Sequence, residues 1–90
     1  MDLGESFDAE LIQPDSGKGA WTFVRVPEEL APRASKAWGM VPVMATVNGR
    51  EWSTSIWWDK TWGPLLPVPK KIRKKDLKVG DVVVVRVVAR

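Results

Sequence analysis

The chain has 90 residues and a formal net charge of +3, and its six tryptophans occur with no cysteine, histidine or tyrosine. Lacking histidine and cysteine, it is without most of the usual activated nucleophiles, general bases and transition-metal ligands, and no disulfide framework can hold the fold. The length allows one small domain with a dense core, and no apolar run approaches the roughly 18 to 20 residues of a spanning helix.

Residues 1–90 therefore read as a single soluble domain, suited to a reducing cytoplasm and without a membrane partner. The segment Met1–Ser6 also lacks the basic and apolar regions of a secretory leader. The expected activity is binding, not catalysis, and no cofactor or metal is expected.

Phe7, Ala9 and Leu11 alternate with more polar neighbours, which predicts a half-buried strand stopped at Pro14-Asp15-Ser16-Gly17. Ala20–Val26 is a second strand, joined to the first by a hairpin loop over Asp15–Gly19. Pro27 suits a first helical position and Glu28 and Glu29 favour a helix start, so a short amphipathic helix is expected from about 27 to 37. Pro32 limits its regularity, Gly39 marks its exit, and Ala31, Ala34 and Ala37 give it a small-residue side.

Asn48-Gly49 is the strongest hairpin signal in the chain, between strands Met40–Val47 and Arg50–Trp57. Pairing Val47 with Arg50 puts Ala45 opposite Trp52, Val43 opposite Thr54 and Val41 opposite Ile56 on one face, which reads as core. The other face pairs Met44 with Ser53, Met40 with Trp57 and Thr46 with Glu51. With Ser55, it forms a mixed lining that suits either a ligand or an outer sheet face under the helix.

Pro64, Pro67 and Pro69 confine Leu65–Val68 to an edge or a brief strand, and Lys70–Lys75 reads as one helical turn. After the turn at Lys78–Asp81, Val82–Ala89 is apolar on both sides of the pleat, as expected of a strand buried between neighbours. The fold class is mainly β: a small six-stranded barrel, closed or partly open, with one short helix after the second strand and a helical turn before the last.

Charge is distributed unevenly. Residues 1–45 carry four basic and seven acidic side chains, residues 46–90 ten basic and four acidic, and the excess sits in Lys70, Lys71, Arg73, Lys74, Lys75 and Lys78. Such a run either attracts phosphate or forms a solvated turn, and its place after the aromatic cluster in a chain whose amino-terminal half is acidic favours the turn.

Taken in order, Phe7–Leu11, Trp21–Pro27, Trp38-Gly39-Met40-Val41-Pro42-Val43, Thr54-Ser55, Leu65–Val68, Ile72-Arg73 and Val79-Gly80-Asp81 resemble the bacterial family known as domain of unknown function 1905. The resemblance covers nearly the whole chain. It implies a small β-barrel with a helix after the second strand, found alone or joined to a YdeI/OmpD-associated domain, with no established activity. Fold is what such a likeness carries, since fold does not imply function.

The departures from that family all add apolar bulk: Ile56-Trp57-Trp58 after the Thr-Ser pair, Trp62 in the following turn, and Met44 at a commonly polar position. They read as an engineered enlargement of apolar lining, similar in logic to designed binders of sterol-like or terpenoid ligands, with drift in a natural member as the alternative.

The expected function is non-catalytic binding of a bulky hydrophobic small molecule. Its expected contacts are Trp57, Trp58, Trp62, Met44, Met40, Leu30, Ala34, Phe23, Ser53, Ser55 and Leu65, with Trp57, Trp58, Trp62 and Met44 closing a cavity against the helix near Leu30 and Ala34. Nucleic-acid binding through the basic 70–78 segment and exposed indoles ranks second. A protein-contact module, including a homodimer through the Trp58–Trp62 loop, ranks third. Asp59 and Asp81 read as turn-capping groups ahead of acids or bases, and Gly17 and Gly19 lack the continuation of a phosphate loop.

Overall fold

A computed structural model describes residues 5–14, 21–32 and 40–90. In chain order it contains β1 (Ser6–Glu10), β2 (Phe23–Arg25), a 3-10 turn (Glu28–Leu30), β3 (Met40–Val47), β4 (Arg50–Asp59), β5 (Gly63–Pro67), α1 (Lys70–Arg73) and β6 (Val82–Ala89). The strands form one antiparallel sheet in the order β1-β6-β3-β4-β5-β2. Its two ends meet where Ile12, just beyond β1, pairs with Phe23 through two backbone hydrogen bonds of 2.8 Å. A nearly closed six-stranded barrel results, as the strand pattern predicts.

The register of β3 against β4 is the one a two-residue turn demands, with Ala45 opposite Trp52, Val43 opposite Thr54 and Val41 opposite Ile56. Asn48 and Gly49 both have positive φ, 48° and 83°, the conformation that matches the twist of the flanking strands. Asn48 also ties the turn to the neighbouring strand: its side-chain Oδ1 accepts from the Val84 N–H at 2.8 Å, and its own N–H donates to the Val84 carbonyl at 2.9 Å.

Inside the barrel, Val87, Ala45 and Trp52 lie along one rung and Phe7, Val85 and Val47 along another. Leu11, Val24, Ile56 and Leu66 complete a core that is almost wholly shielded from solvent. At roughly 25 cal/mol per Å² of apolar surface removed from water, this packing is the dominant favourable contribution to folding.

Two expectations change. Within the described residues, the helix expected from 27 to 37 is a single 3-10 turn. Ala31 is already extended at φ -88° and ψ 127°, because a residue before proline is driven out of the helical region. The remainder of that helix, including Ala34, and the hairpin loop over Asp15–Gly19 lie outside the described residues.

β5 is brief, as its prolines require, but it is not an edge strand: it lies between β4 and β2. Pro64 and Pro67 fall near its two ends, where fewer ladder bonds are needed. Finally, β6 has neighbours on both sides, yet only one face is covered. Val83, Val85 and Val87 are buried while Val82 and Val84 are 66% and 50% exposed, because no second layer packs on that side of the barrel among the described residues.

Gly49→Ala should destabilise the protein by about 1 kcal/mol, because a Cβ meets no atom at that site but the left-handed backbone remains unfavourable. Urea unfolding should show a lower midpoint with an unchanged slope, whereas a changed slope or lost cooperativity would mean that the hairpin register is set elsewhere.

Candidate functional site

The barrel wall is incomplete at one place, and the cause is local. β5 pairs only with Trp57, Trp58 and Asp59 of β4. Among the described residues, the stretch Arg50–Ile56 therefore has a strand partner on its β3 side alone. The chain leaving β5 crosses this gap through Val68 and Pro69 and forms α1 beside β4.

A groove of about 620 Å³ lies at the gap. Met40, Ser53, Ser55 and Trp57 line it from the outer face of the hairpin, and Trp21 joins them. Trp52, Thr54 and Thr22 alternate with these residues along their segments and line the inner part, while Val68, Pro69, Lys71 and Arg73 form the opposite wall. Thr22 is only 3% exposed, and its hydroxyl has no hydrogen-bond partner among the described residues. A buried hydroxyl without a partner costs free energy that a bound polar group would recover.

The outer shelf is aromatic. Trp21 and Trp57 lie 5.3 Å apart between ring centroids and tilt at 40°, and Phe23 meets Trp57 edge-on at 5.5 Å. Phe23 is buried beneath the two indoles, whereas Trp21 is 52% exposed and Met40 equally so. Aromatic pairs at such separations are mutually favourable, so the cluster can hold a large apolar face open beside the groove.

The opposite wall is basic. Arg73 Nε donates to the Val68 carbonyl at 3.0 Å, which directs the guanidinium along the groove wall. Arg50 braces α1 by donating from Nη1 to the carbonyls of Ile72 and Arg73 at 2.7 and 3.3 Å, and from Nη2 to Asp76 Oδ2 at 2.7 Å. The Arg50 guanidinium holds the Asp76 carboxyl below its ordinary value of 3.8, chiefly through that hydrogen bond. Arg90 reaches the same groove, with its backbone N–H on the Pro42 carbonyl. No aspartate or glutamate is among the residues lining this groove.

A second groove of about 510 Å³ lies around the β4–β5 turn and contains Trp58, Trp62, Arg25, Glu28, Asp59 and Lys60 among its lining. Here the polar groups serve the fold. Asp59 Oδ2 accepts from the N–H groups of Thr61 and Trp62, both at 2.9 Å, and closes the turn. Arg25 lies 5.8 Å from the centre of the Trp62 ring and donates to the Trp62 carbonyl. The Trp58 indole faces the core and donates to the Pro32 carbonyl at 3.3 Å. Asp81 caps its turn through the Lys78 N–H at 2.8 Å.

The structure thus brings Trp57, Met40, Ser53 and Ser55 together and places Phe23 and Leu65 beneath or beside Trp57. Trp57, Trp58, Trp62 and Met44 do not close one cavity. Adjacent strand residues point to opposite faces, so Trp58 turns inward where Trp57 turns outward. Trp62 belongs to the second groove, Met44 lies on the hairpin's outer face opposite Ser53, Leu30 ends the 3-10 turn, and Ala34 is outside the described residues.

Sequence reasoning missed Trp21, Thr22 and the role of Lys71, Arg73 and Arg90. Trp21 was legible in principle, since it alternates with Phe23 and so shares its face. The convergence of the cations depends on how α1 crosses the gap, which no local pattern encodes.

Residues 7–87 match the family described as Domain of unknown function (DUF1905), a span running from β1 into β6. Comparison with curated proteins found no match. No helix among the described residues is long and apolar enough to cross a membrane, and no group of acidic side chains among them is placed to hold a metal ion.

Because the folded carboxyl of Asp76 is depressed by Arg50, its contribution to stability is present above the ordinary carboxylate value and is lost as pH falls through the lower, folded value. Thermal melts of the parent and Asp76→Asn should differ at neutral pH and converge in strong acid. The difference should be small and salt-sensitive, since the carboxylate is solvated. A gap that persists undiminished at about pH 2 would show that Asp76 acts otherwise than through its charge.

Proposed function

We propose that this chain, which belongs to the domain of unknown function 1905 family, is a non-catalytic binder of a bulky hydrophobic small molecule held in the groove between β4 and α1. The observation that carries this reading is the wall gap faced by the Trp21–Phe23–Trp57 cluster. A shelf of indoles beside a recess of about 620 Å³ offers a flat apolar body both a stacking surface and a place of entry.

Met40 adds an adaptable apolar side chain, and the hydroxyls of Ser53, Ser55 and Thr22 supply a few polar contacts to fix orientation. Sterol-like and terpenoid bodies are of the size such a recess takes. Of the family departures, Trp57 is the one lining this groove, so an origin by deliberate enlargement draws its support from that indole alone. A single-stranded nucleic acid stacked on Trp21 and neutralised by Lys71 and Arg73 is the second reading.

Titration with the neutral dye N-phenyl-1-naphthylamine should raise its emission and shift the tryptophan fluorescence. Trp57→Ala should weaken that binding by about 2 kcal/mol, roughly thirtyfold, and Trp21→Ala by a smaller factor because Trp21 is half exposed. Trp62→Ala should bind like the parent, since Trp62 lines the other groove. Equal binding by folded Trp57→Ala and Trp21→Ala would remove the groove as the site.

A further inference from the structure

We propose that the groove selects an anionic ligand, specifically a polycyclic or aromatic carboxylate whose ring lies on Trp21 and Trp57 and whose carboxylate is taken by Arg73, with Lys71 and Arg90 beside it. This rests on the hydrophobic-ligand reading of the same groove and adds the chemistry of the ligand's polar end.

Three observations carry it. First, Lys71, Arg73 and Arg90 line one recess that no aspartate or glutamate lines, whereas the nearby Arg50 is paired with Asp76. Like charges converging without a counter-charge repel one another, and that repulsion is relieved when an anion enters. The second groove offers the internal contrast, because Arg25 and Lys60 there are matched by Glu28 and Asp59.

Second, Arg73 is oriented but not saturated. Its Nε is committed to the Val68 carbonyl, while its two terminal nitrogens make no hydrogen bond among the described residues. They leave a fork suited to carboxylate oxygens. Arg50 fixes the base from which that fork projects, by binding the Ile72 and Arg73 carbonyls. Third, the buried Thr22 hydroxyl lines the same groove without a partner, supplying a neutral donor or acceptor for a second polar atom of the ligand.

An aromatic carboxylate fits this arrangement better than a phosphate-bearing polymer. The aromatic shelf consists of two indoles in mutual contact, with their partner Phe23 buried beneath them. That is room for one ring system, not for a row of stacked bases, and the cations sit across a recess instead of along a track.

The test uses two fluorescent probes of one shape, pyrenebutyrate and pyrenebutanol, with energy transfer from tryptophan as the readout. The carboxylate should bind the intact chain at least about tenfold more tightly than the alcohol, as charge-assisted hydrogen bonds commonly provide. Arg73→Gln should abolish the preference by weakening pyrenebutyrate at least about tenfold more than pyrenebutanol. Lys71→Gln and Arg90→Gln, whose side chains line the groove, should each reduce it in part, and they decide the matter if Arg73→Gln does not fold.

Equal affinities for the two probes, or a preference that survives all three substitutions, would overturn the anionic assignment and leave the hydrophobic groove standing. Failure of both probes to bind would instead defeat the hydrophobic-ligand reading beneath it. Displacement of pyrenebutyrate by micromolar oligothymidylate, with an affinity that falls steeply with salt, would overturn the small-molecule assignment in favour of single-stranded nucleic acid.

Discussion

The register of the β3–β4 hairpin is the constraint on which the rest of the structure depends. Side chains in a strand alternate with a period of two, so one choice of pairing at Asn48-Gly49 decides every inward and outward position along both strands. It sends Trp52 and Ile56 into the core and Met40, Ser53, Ser55 and Trp57 out of it. Since Asn48 is also bonded to Val84, the same turn sets how β6 is seated, and through β6 the position of β1. A slip of one residue would exchange the aromatic shelf for a valine face.

The groove follows from a conflict between two neighbouring requirements. β4 is ten residues long because Arg50–Trp57 pair with β3 and Trp57–Asp59 go on to pair with β5, whereas β5 is held to five by prolines that cannot donate to a ladder. A barrel wall built from strands of unequal length must be filled by something other than a strand. Here the filler is a four-residue helix braced by Arg50, and because a helix presents side chains where a strand would present backbone, the gap acquires a basic wall. The shape of the site and its charge have the same origin.

Much of the fold was legible in the chain. The hairpin register, the last strand and the helical turn at Lys70 all follow from local patterns with a definite mechanism: a positive-φ turn, alternation, and proline before a helix start. The candidate site was legible only in pieces. Trp57, Met40, Ser53 and Ser55 share a face by alternation alone, and the hairpin reading groups them correctly. Trp58 and Trp62 attract attention as indoles, but composition does not tell an indole that packs from one that binds; only their partners, the Pro32 carbonyl and the Arg25 guanidinium, do that. The cations of α1 lie in a charged run that locally looks like any solvated turn, and their significance comes from contacts across the gap.

Closure of the barrel by Ile12 and Phe23 has a mechanical consequence. Every other junction between neighbouring strands is a ladder of three or more residue pairs, but among the described residues this seam is a single pair. A closed cylinder resists shear only as well as its weakest longitudinal joint, so this one can part along a line while the other strand pairings remain intact. The seam ends on Phe23, which is also the floor of the aromatic shelf. Whatever presses on that shelf therefore presses on the joint, and parting it would break the two hydrogen bonds between Ile12 and Phe23 and uncover Leu11 and Val24 of the core beside them.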